Sequence, residues 1–139
     1  MADREQSDRL SVPQDGSPFW TFSLALYGTP DVAPACIRLQ DEAGADVNVV
    51  LFLLWNASQG RQLTADAVAE IERTSAEWRN AVVVPLRAVR RALREPPALV
   101  AADAAQAFRN RIKAVELESE RLQQEALFAL TGRLSTIDE

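Results

Sequence analysis

The stretch DVNVVLFLLWNA, residues 46–57, decides the fold. Val47, Val49, Val50, Leu51, Phe52, Leu53, Leu54 and Trp55 leave almost no polar stripe. A helix that is apolar on all sides belongs at the centre of a bundle. The β-branched start of the run makes a buried strand the rival reading. Its flanks favour a helix, with glycine-ended helical segments before it and an alanine-rich one after it. Asp46 is the N-cap that such a helix needs.

Upstream, Ser17-Pro18 reads as an N-cap followed by proline at the first helical position. Helix one then covers Pro18–Tyr27 and stops at Gly28, the residue suited to the left-handed position past a helix end. Helix two follows a two-residue turn, is capped by Thr29 or Asp31, carries Ile37 and Leu39, and ends at Gly44. Downstream, Thr64 caps a segment whose apolar positions keep helical phase through Pro85: Val68, Ile71, Trp78, Val82, Leu86, Val89 and Leu93. Pro85 removes one backbone bond and crowds the preceding turn. Either one helix kinks there or two meet near Val83–Val84, and the kept phase favours the kink. Pro96-Pro97 ends it.

The last helix is predicted from Asp103 to about Leu130–Arg133. Phe108, Ile112, Val115, Leu122, Ala126 and Leu130 form its main stripe, with Ser119 small enough to sit within it. Thirty-one residues at about 1.5 Å each make about 46 Å. A compact chain of this size has a radius of gyration of about 14 Å. Such a helix must bend, project, or pack on another chain. The expected fold is therefore all-α, a single-domain bundle of five or six helices around the central apolar helix at about 46–57. A polar, disordered tail is expected over 1–16, the helical domain over 17–134, and a short tail over 135–139.

Composition narrows the chemistry. The chain has 139 residues, a net charge of −5, 14 arginines beside one lysine, and no histidine. The missing histidine removes Ser-His, Cys-His and His-ligated metal mechanisms within one chain. The negative charge argues against a generally basic nucleic-acid binder. Cys36 is the only cysteine, so no intrachain disulfide can form. It lies in an apolar helical segment and reads as a small buried hydrophobe. The longest apolar run, Val49–Trp55, has seven residues against the roughly 20 of a membrane span. With no secretory leader in the first residues, a cytoplasmic protein with no membrane contact is expected. No GxxxxGK[ST], GxGxxG or GxSxG pattern occurs, and no cofactor is implied.

Four constellations remain. Asp41, Glu42, Asp46 and Asn48 surround Gly44 in the turn before the central helix, and such oxygens can hold a divalent ion. The EF-hand pattern fails, though, for want of a third loop ligand and a closing glutamate. A helix end at Gly44 and an N-cap at Asp46 account for the turn without an ion. Next, Arg87, Arg90, Arg91 and Arg94 fall within roughly 100° of arc, opposite Val82, Leu86, Val89 and Leu93. Four guanidiniums on one face can dock phosphate or an acidic partner. Glu95, or Glu116, Glu118 and Glu120 on the last helix, can instead neutralise them inside the fold. Third, the three tryptophans with Phe19, Phe22, Tyr27 and Phe52 concentrate the aromatics in the first 80 residues, where they read as core. Last, Leu117 and Phe128 lie on the face opposite the main stripe of the last helix, in the position of a second contact surface.

The segments Phe19-Trp20-x-Phe22-Ser23-x-x-x-Tyr27, Leu39-Gln40-Asp41-x-x-Gly44-x-Asp46-Val47-Asn48 and Leu51-Phe52-x-Leu54-Trp55 resemble a family of short bacterial proteins classed as a domain of unknown function. Trp78-Arg79, Val82-Val83-x-Pro85-Leu86-Arg87 and Arg90-Arg91 with Leu93 extend the likeness, which covers most of residues 18–94. It implies a small cytosolic helical protein and brings no activity, cofactor or catalytic residue with it.

The function expected from the residues is a non-enzymatic interaction module. It would bind another protein through Arg87, Arg90, Arg91 and Arg94, or through Leu117 and Phe128. A homodimer through the C-terminal helix is one form of this. The alternative is a small-ligand or divalent-metal site at Asp41, Glu42, Asp46 and Asn48, which would admit an enzyme. Weak nucleic-acid binding comes last, because the arginines lack the interleaved aromatics used for base stacking.

Overall fold

A computed structural model describes residues 16–137. All of the expected N-terminal tail except Gly16 lies outside the described residues, as do positions 138 and 139. The Ser17 hydroxyl accepts the Trp20 N–H at 3.0 Å and Pro18 follows, starting α1 (Pro18–Tyr27). Helix α2 (Val32–Ala43) ends as expected on Gly44, whose φ of +66° lets the Gly44 and Ala45 amides turn back to Gln40 and Leu39. Its start differs from expectation. Gly28 is right-handed, the positive φ of 73° falls on Asp31, and the Asp31 side chain makes no capping bond among the described residues. The Val32 amide bonds instead to the Thr29 carbonyl, so backbone does the work expected of a side chain.

The apolar run forms α3 (Val47–Ser58), capped by Asp46, whose Oδ1 accepts the Asn48 N–H at 3.1 Å. It packs against α1, α2, α4 (Ala65–Trp78) and the C-terminal helix α6 (Ala102–Leu130), with Leu54 at its one exposed edge. Phe52, Trp55 and Phe19 make an aromatic cluster with ring centroids 5.2 to 6.1 Å apart. Arg61 stacks over Trp55 at 4.9 Å. Each aromatic pair adds about 0.5–1.5 kcal/mol beyond its buried area.

Pro85 does not interrupt the helical run. Thr64 caps α4 through a bond from the Ala67 amide, and the chain then widens into one π-helical turn, Arg79–Val83, before α5 (Val84–Ala92). The Val84 N–H reaches back to the Arg79 carbonyl, five residues away. That wider turn accommodates a proline that has no N–H to give and a ring that crowds the turn before it. Counting Ala65–Ala92 as one helix, five helices and no strands make up the described residues.

The extra residue in that turn changes which face of α5 is inside. Buried positions run Ala67, Ile71 and Ser75, and a plain α-helix would continue them through Val82, Leu86 and Val89. After the π-turn the inward row is Val83, Arg87 and Arg90, one residue later. Val89 is left exposed.

The last helix, α6, has 29 residues, about 43 Å at 1.5 Å each. It lies against α1, α3, α4, the π-turn and α5. A 3₁₀ turn at Thr131–Arg133 follows, and Thr136 then bridges Leu63, with the Thr64 amide bonded to the Ser135 carbonyl.

The one-residue shift is testable. Deleting Asn80, exposed in the π-turn, restores α-helical phase and swings Arg87 and Arg90 off their carboxylates. Chemical denaturation should show a loss of about 3–5 kcal/mol, the usual result of breaking a buried ion pair. Asn80→Ala, which keeps the length, should stay within about 0.5 kcal/mol of wild type.

Candidate functional site: a buried polar seam and the apolar face outside it

Asn48, in the first turn of α3, is buried and needs partners. It finds them on α6. Its Nδ2 donates to Gln123 Oε1 at 2.9 Å, and Gln124 Nε2 donates to its Oδ1 at 2.9 Å. Gln123 Nε2 donates in turn to Asp46 Oδ2 at 3.0 Å. One turn or two earlier on α6, Glu116 and Glu120 are 1% and 2% exposed. Arg90 donates to both oxygens of Glu116, through Nε to Oε1 and through Nη2 to Oε2 at 3.3 Å. Arg87 lies 3.6 Å from Glu116 and 3.9 Å from Glu120. Arg109 donates to the Arg90 carbonyl at 3.1 Å, tying the two helices again. A polar seam thus runs along the inner face of α6, from Gln124 to Glu116.

Burial holds the Glu120 carboxyl above its ordinary value of 4.5, and the neighbouring Glu116 adds to this against the pull of Arg87. The void between Asp46, Arg79, Arg87, Glu120 and Gln123 is about 10 Å³, room for about one water. The seam is closed to anything larger. The buried Cys36 thiol is also pushed up, by loss of solvent.

The arginine cluster is therefore not one docking face. Arg87 and Arg90 point inward onto carboxylates, Arg91 pairs with Asp41 at 3.4 Å, and Arg94 is exposed. The cause is the π-turn, which moves the inward row by one residue. Glu116 and Glu120 are the internal counterions; Glu118 binds Arg121 on its own helix instead. The acidic turn does not converge on an ion either. Both Asp46 oxygens accept N–H groups, the Asn48 amide bonds to two glutamines, Asp41 holds Arg91, and Glu42 is exposed. No group of three or more Cys, Asp or Glu side chains suited to a metal occurs among the described residues.

Leu117 and Phe128 were expected to face outward, and they do not. Leu117 is 7% exposed in the core, and the Phe128 ring packs on Trp55 at 5.4 Å. Because the seam claims the inner face of α6, the helix turns its main apolar stripe to solvent. Phe108, Val115 and Leu122 are 47%, 51% and 44% exposed, and Ala126 is open beside them. Trp78 of α4 donates its indole N–H to the Ser119 carbonyl at 2.9 Å, at the gap the small serine leaves in the stripe. Trp78, Leu122, Ala126, Leu127 and Leu130 line a groove of about 370 Å³ with Thr74, Ser75 and Gln123.

Sequence reasoning missed Gln123 and Gln124. A signal was present: Glu116, Glu120, Gln123, Gln124 and Leu127 recur at helical spacing and form a second stripe. Polar residues at that spacing read as a solvated face unless their partners are known.

Most of this geometry lies within residues 18–127, the span matched by a family profile described as a protein of unknown function, DUF2390. The chain belongs to that family. No curated protein and no solved structure matches it.

Two changes test the seam. Arg90→Met leaves Glu116 without its closest cation and should cost about 3–5 kcal/mol, most of it recovered in Arg90→Met/Glu116→Leu. Glu120 gives a pH signature. Its folded value is raised, so its contribution to stability is present below the unfolded value of 4.5 and lost as pH rises through the folded one. Glu120→Gln should therefore raise the melting temperature at about pH 8, and the gain should shrink to nothing near pH 4.

Proposed function

We propose that this protein is a non-enzymatic interaction module that offers the outer face of α6, flanked by Trp78, to an amphipathic helix. The single observation behind the reading is the half-exposed apolar row Phe108, Val115 and Leu122 with the groove beside it. Apolar side chains exposed together beside a groove are a mark of a binding face. An amphipathic helix fits such a groove with anchors at i, i+3 or i+4, and i+7. The reading keeps the contact on the C-terminal helix but moves it from Leu117 and Phe128, which pack into the core, to the opposite face. Arg87 and Arg90, engaged inside, lend no support to a phosphate or nucleic-acid dock. The closed seam, with room for about one water, favours binding over catalysis.

We place this module in a bacterial cytoplasm as part of the same proposal. No helix of the described residues is long and apolar enough to cross a membrane. The lone cysteine is a buried thiol, as suits a reducing compartment.

The test is site-specific photo-crosslinking in cells. A benzophenone side chain at Leu122 or Val115 should give a discrete crosslinked polypeptide. The same group at Leu54, an exposed apolar position on α3, should give none. Equal labelling at all three positions, or none at any, overturns the reading.

A further inference from the structure

The outward row of α6 has a finer spacing than an amphipathic helix requires. Phe108, Ile112, Val115, Ser119, Leu122 and Ala126 are separated by four, three, four, three and four residues. This is the a/d repeat of a coiled-coil seam. It extends over about 27 Å of helix, with Ser119 at its middle buried at 3% exposure where Trp78 bonds to its carbonyl. We propose that the occupant of this face is a second copy of the chain, its α6 packed antiparallel to the first about a two-fold axis near Leu117–Glu118. The proposal rests on the reading of this face given above and names its partner.

Size complementarity fixes the direction. In the antiparallel register Phe108 of one copy meets Ala126 of the other, Ile112 meets Leu122, and Val115 falls level with the buried Ser119, where the half-exposed Trp78 offers the contact. The largest side chain of the row thus faces one of the smallest. Phe108 enters the groove that Trp78, Leu122, Ala126 and Leu130 already form. In a parallel pair each residue would meet itself, Phe108 against Phe108 and Ala126 against Ala126, leaving that groove empty.

Charge points the same way. The first half of the open α6 edge carries Arg111, and the second half carries Glu118 and Glu125. The antiparallel register sets Arg111 of each copy beside Glu125 of the other, giving two ion pairs across the axis. Glu118 falls at the axis itself, where the Arg121 that binds it at 3.0 Å neutralises the pair. A parallel pair needs the opposite edge of α6 for its ion pairs. That edge holds Glu116 and Gln123, both buried in the seam.

The area is sufficient for a reversible dimer. A patch about 27 Å long and two helices wide, about 20 Å, projects on the order of 500 Å², and its accessible area is larger. A standard interface buries about 800 Å² per partner, so this one lies towards the small end of the range, where reversible pairs are found.

Sedimentation equilibrium of the full chain reads this directly. The expected result is a weight-average mass that climbs from the 15.3 kDa of one chain towards twice that value as concentration rises. Phe108→Ala should weaken the dimer about tenfold or more. Arg111→Glu should weaken it by about tenfold, and Arg111→Glu/Glu125→Arg should restore it, a rescue that a purely structural role for either residue does not give.

Glu125 also accepts the Ser17 amide at 3.1 Å, so cysteine crosslinking supplies an independent reading. Glu118→Cys should oxidise to a covalent dimer. Phe108→Cys and Ala126→Cys should link to each other when mixed and not to themselves. The buried Cys36 stays silent in this assay. Self-linked Phe108→Cys overturns the antiparallel pair. A monomer at every concentration whose Leu122 benzophenone still captures a different protein overturns the second copy and leaves the module reading standing. A monomer that captures nothing overturns both.

Discussion

The contact on which the rest of this structure depends is the desolvated Arg90–Glu116 pair, extended by Arg87, Glu120 and the Asn48–Gln123–Gln124 amides. Removing two charges from water carries a penalty of several kcal/mol per ion, and attraction offsets it only where geometry and further hydrogen bonds are good. Those conditions are met here on one side of α6 and one side of α5. The two helices can face each other in one rotational setting and no other without stranding a buried charge. That setting fixes everything outside it. If Glu116 and Gln123 face in, Val115 and Leu122 face out.

Pro85 and the π-turn act one level earlier, on the backbone. A proline inside a helix usually kinks it, because a bond is lost and a ring collides with the preceding turn. Here the preceding turn widens, the Val84 amide finds the Arg79 carbonyl, and the helix continues with its faces advanced by one residue. Local covalent chemistry at one position thereby chooses whether leucine and valine or two arginines meet α6. The polar seam and the widened turn support each other. Neither explains the orientation of α5 alone.

The same two features mark where the sequence is legible and where it is not. Ser17-Pro18, Gly44, Asp46 and Thr64 act within a few residues of themselves, so their roles can be read from neighbours alone, and α1, α3 and α4 start where those residues put them. The central place of 46–57 is equally plain, since a run of seven apolar residues has few other places to go. The family match, over residues 18–127, spans these same elements. The faces of α5 and α6 are different in kind. A helical wheel drawn through Pro85 assumes 3.6 residues per turn, and one π-turn defeats it for every residue beyond. On α6 the rule that the apolar stripe is buried was outweighed, because Glu116, Glu120, Gln123 and Gln124 have partners on α3 and α5 that sequence distance conceals. Leu117 and Phe128 are inside for the same reason. They lie beside the polar residues that found partners.

A bundle built this way has an apolar alternative close at hand. Rotating α5 back by one residue and α6 to match would bury Leu86, Val89, Val115 and Leu122. Each such side chain contributes about 1.5–3 kcal/mol when fully removed from water. The same rotation would turn out Val83, Leu117 and Leu127, which are now buried, so apolar gain and loss offset each other and the parting of the arginines from the glutamates decides against it. The seam therefore does more than hold two helices together, since it keeps an apolar row on the surface against the tendency of that row to bury itself. A chain that needed only to be stable gains nothing from this. A chain whose apolar row has a use at the surface needs some internal constraint of this strength, and buried charge supplies it where more leucine would not.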